Sequence, residues 1–496
     1  MFIQSTILPN QKKKKRTMLN KKILGYAAVA FVALTYSACR VPTLVQKTAR
    51  KITTANYNNA PGTDSTNAAK VLWRNYFTDP YLVALIDTAF INNQELNITL
   101  QEMAISQNEI MARKGEYMPF VGYAATAGVE KTGRFTRFGA SEANLEIKPG
   151  VETPDPLPNF GGGLYARWEI DIWRKLRNAR KAAVTRYLAS VEGRNFVLTN
   201  LVAEIAHSYY ELLALDSQLD IVQKNIEIQS NALKIVKLEK ESSRVTELAV
   251  QRFQAQVLNT QSLQYGIKQR ITETENRINF LLGRYPQPVS RSNGNFETLV
   301  PAIASVGVPA QLLENRPDIK QAELLLTASK IDIQVAKANF YPSLGLSGSL
   351  GVQSFNPLYL AKLPQSLLSS LVGDLAGPLI NKNAITATYY NANAKQIQAI
   401  YNYERTVLNA YIEVANQVSN IGNLEKSYAL KATEVQALNQ SVTISNNLFR
   451  SARADYMEVL LTQRDALDSR FDLIETKMKQ MNATVSIYRA LGGGWN

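Results

Sequence analysis

The chain carries the same structural unit twice, and this duplication constrains its fold more than any other feature. When the sequence is aligned with itself at an offset of about 209 positions, residues 203–206 (AEIA) fall on residues 412–415 (IEVA). Nearer the amino terminus the offset becomes about 223, where residues 112–119 fall on residues 335–342. We therefore expect one body built from two similar halves, each with a helix, a pair of strands and very long helices.

Apolar residues recur every seven positions through long segments that contain no proline. In the first copy these are Leu198, Ile205, Leu212, Leu219, Ile226 and Leu233. In the second copy they are Val407, Val414, Ile421, Tyr428, Val435 and Val442, and in the last helix Leu460, Leu467, Ile474, Met481 and Tyr488. A sustained seven-residue repeat predicts supercoiled helices packed side by side. The segment from Trp173 to Leu238 alone would form a helical rod of about 100 Å. The alternative is an ordinary helical bundle, but its helices would be much shorter than this.

Between the long helices lie short segments in which apolar residues alternate with small or charged ones. The four predicted strands lie within residues 121–129, 164–172, 344–352 and 367–379. Arg167, Glu169 and Asp171 share the polar face of the second strand. This alternation is typical of a transmembrane β-barrel, in which those three residues would face the wet lumen, although a soluble sandwich shows the same pattern.

Four strands are too few to close a barrel. Bacterial outer-membrane barrels have about eight strands or more, and an open sheet edge is not tolerated in lipid. Several chains must therefore share one barrel. Three chains would supply twelve strands, and their symmetry would place a channel on the common axis.

The amino terminus reads as a secretory signal peptide over residues 1–38. Lys21 and Lys22 precede the apolar run Ile23–Leu34, and the segment ends in Tyr36-Ser37-Ala38 before Cys39. Small residues before a lone cysteine resemble a lipobox, with Tyr36 in the place of the usual leucine. We expect Cys39 to carry a covalent lipid; the alternative is a plain signal peptide with a free thiol.

The composition argues against catalysis and nucleic-acid binding. The formal charge is +14, but seven of the basic residues lie before Cys39, and the remaining excess is spread along helices. His207 is the one histidine, inside a heptad segment, whereas metal sites need clustered ligands. No nucleophile elbow or phosphate-binding loop is present. We expect no enzyme activity, no metal, no nucleic-acid partner and no cofactor besides the lipid.

Four motifs resemble one known family. They are PAQLLENRPDI at residues 309–319 followed by Ala322-Glu323, ANFYPSL at 338–344, GPLI at 377–380 and ALGGGW at 490–495. Together they resemble the TolC family of outer-membrane efflux channels, in its lipoprotein branch of NodT-like and OprM-like outer membrane factors of tripartite pumps. The resemblance covers residues 72–496.

The resemblance implies an α+β membrane protein: a trimer with a twelve-stranded outer-membrane β-barrel, four strands per chain, continued by a long periplasmic α-helical coiled-coil barrel. It further implies a lipid-anchored outer-membrane duct that passively passes small molecules. The implied partners are a periplasmic adaptor (membrane fusion) protein and an inner-membrane transporter of the resistance-nodulation-division (RND) class. The alternatives are the exit duct of an ATP-driven type I secretion system and a periplasmic coiled-coil scaffold without transport.

These arguments divide the chain into five segments. The predicted boundaries are a signal peptide at 1–38, a lipidated tether at 39–71, a first repeat at 72–283, a connecting equatorial segment at 284–310 and a second repeat at 311–496.

The resemblance also places the channel tip. The family's tip glycine is replaced by Ala452, and by Ser243 in the first copy, and we expect adaptor contacts at Ser242, Ser243, Arg244, Ser451, Ala452 and Arg453. A gate aspartate common in the family falls on Leu461. Glu458, one turn earlier on the same face, or Asp455 would then supply the acidic constriction, with Met457 beside them. The alternative is that these acids are only solvated tip residues.

Overall fold

A computed structural model describes residues 41–50, 57, 67–294, 296–301, 306–451 and 453–495. The predicted signal peptide, Cys39, most of the predicted tether and Ala452 lie outside these residues. The chain forms two compact units, and each unit takes residues from both copies of the repeat. The first unit contains Ser106–Tyr187, Leu325–Ala399 and the described residues up to Lys47. The second contains Thr48–Ile105, Leu188–Leu324 and Ile400–Asn496.

The first unit contains an antiparallel sheet of four long strands. These are β1 (Phe120–Glu130), β4 (Leu157–Ile170), β5 (Ser343–Ser354) and β6 (Leu367–Ala376), in the spatial order β1-β4-β5-β6. The predicted strands are confirmed, and β4 begins seven residues earlier than expected, because its pairing with β1 continues through three glycines to Leu157. A second small sheet pairs β2 (Glu146–Lys148) with β3 (Val151–Glu152).

Helices make up most of the remaining described chain, and four of them are very long. The shorter helices are α1 (Trp73–Tyr76), α2 (Pro80–Asn92), α3 (Gln94–Tyr117), α4 (Arg137–Glu142), α7 (Leu312–Asn315) and α8 (Pro317–Ala338). The long ones are α5 (Lys175–Glu241), α6 (Glu247–Leu281), α9 (Asn383–Arg450) and α10 (Tyr456–Ala490). Helix α5 has 67 residues and α9 has 68, so each is about 100 Å long. The predicted rods are confirmed.

Heptad residues form the core of the second unit. Ile205 and Leu212 of α5 and Ile474 of α10 are fully buried in one apolar cluster. Farther along α5, Leu219, Ile226 and Leu233 are only partly buried, and they pack against smaller satellite clusters. Because such helices bury a narrow stripe rather than a broad face, each depends on neighbouring helices along its whole length.

The duplication accounts for the local geometry at the ends of the long hairpins. Gly283 follows α6 with φ 65°, and Gly492 follows α10 with φ 96°. The amide of Arg284 donates to Asn279 O at 3.0 Å, and the equivalent amide of Gly493 donates to Tyr488 O at 3.0 Å. Glycine is required at position 283, since an added Cβ would lie 2.3 Å from Asn92 O.

The change of offset between the two copies lies in one loop. Residues 131–156 connect β1 to β4, whereas residues 355–366 connect β5 to β6. The first connection is 14 residues longer, which equals the difference between the offsets of 223 and 209. The extra residues form α4 and the β2–β3 hairpin, which the sequence pattern did not predict.

Candidate functional site

The first hairpin tip, between α5 and α6, is a tight turn at Ser242–Arg244. The amide of Arg244 donates to Glu239 O at 2.9 Å, and the amide of Ser243 donates to Lys240 O at 2.8 Å. This pair of bonds is a Schellman motif, which requires a left-handed residue, here Ser243 with φ 61°. Ser242, Ser243 and Arg244 are all exposed, so an approaching protein can reach them.

The second tip, between α9 and α10, repeats this geometry. The amide of Arg453 donates to Leu448 O at 2.9 Å, the bond equivalent to that from Arg244 to Glu239. Ser451 and Arg453 are exposed. Ala452 lies outside the described residues. The structure thus brings each predicted contact residue that it describes to the end of a helical hairpin, while a role in adaptor contact stays a prediction.

Near their tips, the two hairpins pack against each other through an apolar cluster in the second unit. Val236 and Phe253 of the first hairpin are buried there, with Phe449, Tyr456 and Leu460 of the second hairpin packed against them. Across the first turn Lys240 forms an ion pair with Glu247. The Lys240 ammonium holds the pKa of the Glu247 carboxyl below its usual range. Each tip is therefore a defined turn at the end of two helices whose apolar side chains pack together.

The four gate candidates lie at the beginning of α10. Asp455 precedes the first helical residue, and Glu458 and Leu461 are exposed one turn apart. Met457 is half-buried against the guanidinium of Arg252 on α6. Arg252 occupies in the first copy the position that Leu461 occupies in the second. One hairpin thus carries a cation where its duplicate carries an apolar residue.

Two further acids extend the face of α10 that carries Glu458 and Leu461. Asp465 lies seven residues after Glu458, Asp468 lies seven residues after Leu461, and both are exposed. Continuing the heptad register would have found them. Within the part of the chain that the structure describes, no group of three or more His, Cys, Asp or Glu side chains is placed to hold a metal ion.

Arg167 and Glu169 lie on one face of the sheet, and the strand register extends that face to other strands. Glu169 of β4 and Asp374 of β6 are both paired with Gly345 of β5, so their side chains point the same way. Glu169 also forms an ion pair with Lys175 at 2.5 Å. Asp374 was not predicted, because its role in this face depends on the β5–β6 register.

The prediction that Asp171 faces a wet lumen is wrong. Strand β4 ends at Ile170, and the Asp171 carboxylate is buried at the corner between β4 and α5. It accepts hydrogen bonds from the Leu176 amide at 3.1 Å and from the Arg177 amide at 2.9 Å. These are unpaired donors of the first helical turn, so Asp171 caps α5.

None of the described helices has both the length and the apolar character that a bilayer-crossing helix requires.

Comparisons with known proteins agree with this arrangement. A family model described as outer membrane efflux protein matches residues 85–284 and 308–493. The pyoverdine export outer membrane protein OpmQ of Pseudomonas putida is 28% identical over 426 residues, which cover 85% of this chain and 88% of the relative. The outer membrane protein OprJ of Pseudomonas aeruginosa is 24% identical over 481 residues, covering 96% and 97%.

A solved structure has the same fold. The open-state MtrE outer membrane channel of Neisseria gonorrhoeae is 20% identical and superposes with a TM-score of 0.79, covering 92% of this chain and 99% of the MtrE chain. The chain therefore belongs to the outer membrane efflux protein family, the TolC-type family that its motifs predicted, and it is a protein of the outer membrane.

Proposed function

We propose that this chain is the exit duct of a tripartite efflux pump, in which three copies form one channel through the outer membrane. The observation that carries the proposal is the pair of unpaired edges on the four-stranded sheet. Strands β1 and β6 lie at opposite edges, and among the described residues each pairs on one side only. Long exposed edges of this kind pair with another chain unless they are protected.

The direction of the strands suits addition of further copies. Every neighbouring pair in the order β1-β4-β5-β6 is antiparallel, so β1 and β6 run in opposite directions. The β6 strand of one copy placed beside β1 of the next would continue the antiparallel pattern. Two copies would supply eight strands and three would supply twelve, and the family resemblance favours three.

The edge strands also expose large apolar side chains on one face. Tyr123 of β1 is 86% exposed, and Leu371 and Leu375 of β6 are 78% and 70% exposed. An apolar outer face suits contact with lipid, and the polar face with Arg167, Glu169 and Asp374 suits the water of a channel. Arg167 and Glu169 thus remain proposed lumen residues.

Exposed apolar side chains of the second unit support assembly as well. Ile91 near the end of α2, and Ile98 and Ile105 on α3, are 74%, 60% and 67% exposed. Large apolar side chains left exposed in this way favour contact with a partner. Because the described chain leaves them uncovered, a neighbouring copy is their proposed partner.

The chain near Cys39 supports a lipid anchor. Val41, two residues after Cys39, and Leu44 pack against a cluster that contains Phe340, three residues before β5 begins. A lipid attached to Cys39 would therefore begin near the level at which the sheet begins. The anchor would add to the membrane contact that the sheet provides.

The proposed duct is passive and has no catalytic role, in keeping with a family that is described as outer membrane efflux protein. Energy would come from an inner-membrane transporter of the RND class, through a periplasmic adaptor that contacts the hairpin tips. The gate would be formed by Asp455, Met457, Glu458 and Leu461, repeated three times around the axis.

Crosslinking from the tip tests this proposal. A photocrosslinking amino acid replaces Ser243 in cells, and the captured proteins are identified by mass spectrometry, with the same replacement at exposed Lys330 of α8 as control. Capture of an adaptor and a proton-driven transporter from Ser243 alone supports an efflux pump. Capture of an ATP-driven transporter would assign the duct to type I secretion instead.

The assembly needs a separate measurement. The purified protein is crosslinked to count its copies and then reconstituted into a planar bilayer. Trimers with single-channel conductance are the expected result. A monomer, or a trimer that never conducts even after opening treatments such as Glu458→Gln, would favour a coiled-coil scaffold without transport.

A further inference from the structure

We propose that the beginning of α5 binds the headgroups of anionic phospholipids in the inner leaflet of the outer membrane. Residues 172–181 contain five basic side chains, and no acidic residue occurs from 172 to 191. The five are Arg174, Lys175, Arg177, Arg180 and Lys181. The proposal rests on the placement of the sheet in the bilayer given above and goes beyond it by naming a lipid class and a site.

Three of these cations have no carboxylate partner. Lys175 is paired with Glu169, and Arg177 is paired with Asp171. Arg174, Arg180 and Lys181 are exposed and form no ion pair with any carboxylate among the residues that the structure describes. Unpaired cations at one place make a local positive potential that attracts phosphate.

The nearest carboxylate on the neighbouring helix α8, Asp332, contacts the opposite side of α5. On a helix Arg180 and Lys181 lie on either side of Arg177, within an arc of about 100°. Arg186, nine residues after Arg177, lies on the opposite side of α5, where its guanidinium forms an ion pair with Asp332 of α8. The Asp332 carboxylate is thus directed at the far side of the helix and does not neutralise the basic face.

Aromatic and apolar side chains adjoin the basic face on the side of the sheet. Trp173 is 46% exposed, and its ring stacks on that of Tyr341 with centroids 4.7 Å apart. The Trp173 indole donates to Pro342 O at 2.7 Å, which fixes the ring at the junction of strands and helices. Ile172, the neighbouring residue in the chain, is also exposed. Tryptophan and tyrosine concentrate where hydrocarbon gives way to headgroups.

The order along the chain therefore matches the layers of a bilayer leaflet. Strand β4 ends at Ile170, Trp173 follows, and the cations extend over the first two turns of α5. Clustered Lys and Arg next to a membrane-embedded segment bind anionic lipid through the phosphate and the negative surface potential. An anionic phospholipid fits both features, because its headgroup phosphate would contact the cations and the region near its acyl chains would contact Trp173.

The second copy of the repeat lacks this feature. In the equivalent place, residues 377–394 contain one basic residue, Lys382. Since both copies keep the strand-to-helix junction, the fold itself does not require the basic cluster. The basic residues of the first copy are therefore available for a role other than forming the junction.

The test compares lipid binding to the full-length protein and to two triple variants. The protein, purified in mild detergent, is titrated with phosphatidylglycerol or phosphatidylethanolamine of identical acyl chains, and native mass spectrometry counts the bound lipids. The test variant carries Arg174→Gln, Arg180→Gln and Lys181→Gln. The control variant removes three exposed cations far from this site along the chain, with Lys234→Gln and Lys237→Gln on α5 and Lys268→Gln on α6. Arg177 is kept because it binds the capping carboxylate of Asp171.

The wild type and the control are expected to prefer phosphatidylglycerol, and the test variant is expected to lose about 100-fold in affinity for it, about fivefold for each cation. Lys181→Arg, which keeps the charge, should restore part of the binding when it replaces Lys181→Gln. Equal binding of both lipids by the wild type, or an unchanged preference in the test variant, would overturn the inference. A protein that stays soluble after detergent removal would instead overturn the placement of the sheet in the bilayer.

Discussion

Ser243 and Gly283 end the two helices of the first long hairpin in the same left-handed conformation, with φ 61° and 65°. Only one of them is the residue type that adopts this conformation without strain. Both take part in the same bonding pattern, in which the next amide returns to a carbonyl five residues earlier. The hairpin therefore stores strain at the exposed tip that it does not store at its packed base.

Ser243→Gly should stabilise the tip turn by about 1 kcal/mol, because a left-handed conformation costs an ordinary residue about that much. Hydrogen exchange of the Arg244 amide, which donates to Glu239 O, measures the change. The control is Gly283→Ala, where the added Cβ would meet Asn92 O and which should destabilise the base. If the Arg244 amide exchanged faster in Ser243→Gly than in the wild type, serine would stabilise the turn better than glycine, contrary to the prediction.

Arg316→Ala should destabilise the second unit by about 3 kcal/mol, since it leaves Asp318 without its cation and the Ala490 carbonyl without its buried donor, while Glu413 keeps Arg489. The Arg316 guanidinium is buried and bonded to Asp318, Glu413 and the carbonyl of Ala490. Thermal and denaturant unfolding measure the loss. Lys224→Ala, which breaks an exposed pair with Asp220, is the matched control and should cost less than about 1 kcal/mol. If the two variants lost the same free energy of unfolding, the stabilising role of Arg316 would be contradicted.

His207→Gln should remove a loss of stability that the wild type shows in mild acid. Burial lowers the pKa of His207, whose Nε2 lies 3.4 Å from Ser486 Oγ. The unfolded chain therefore binds the proton more readily than the folded one, and stability falls as the pH drops below about 6.5.

Melting temperatures at pH 7.5, 6.5 and 5.5 measure this effect for both proteins. Because His207 is the one histidine in the chain, the difference between the two proteins over this interval reports on its side chain. Between pH 7.5 and pH 5.5 the melting temperature of the wild type should fall by more than that of His207→Gln. Parallel curves would show that His207 does not contribute.

Leu371→Arg should impair insertion into the outer membrane, whereas Val372→Arg should be tolerated. The two neighbours on β6 point to opposite faces of the sheet, with Leu371 on the apolar face. An arginine facing lipid costs about 2–4 kcal/mol near the bilayer centre, and one facing a wet lumen costs little. The folded, membrane-inserted fraction after expression measures the difference, and a reversed order would place the lipid on the other face.

Cys39→Ala should abolish labelling by a radioactive or clickable fatty acid while the protein still assembles in the outer membrane. The reason is that Cys39 is the one cysteine in the chain and the sheet supplies the main membrane contact. Labelling followed by membrane fractionation measures both properties. Persistent labelling would refute the lipoprotein prediction.

The family, the duplication, the four strands and the long helices could all be predicted from the sequence. Each depends on a period of two or seven, or on residues close together in the chain, such as the motif at 309–319. Even the extra length of the first copy was visible as a change of offset. What the offset could not show was that the additional residues fold as α4 and the β2–β3 hairpin, which have no periodic signal of their own.

Only the tertiary structure decided which side chains share a surface. Alternation placed Asp171 with Arg167 and Glu169, but the strand ends one residue earlier and the carboxylate turns inward to cap α5. Asp374 joins Glu169 through a register across three strands, and the two residues are about 200 positions apart in the chain. Local periodicity sets which face a residue can occupy, whereas its contacts depend on where each element ends and on which other elements pack beside it.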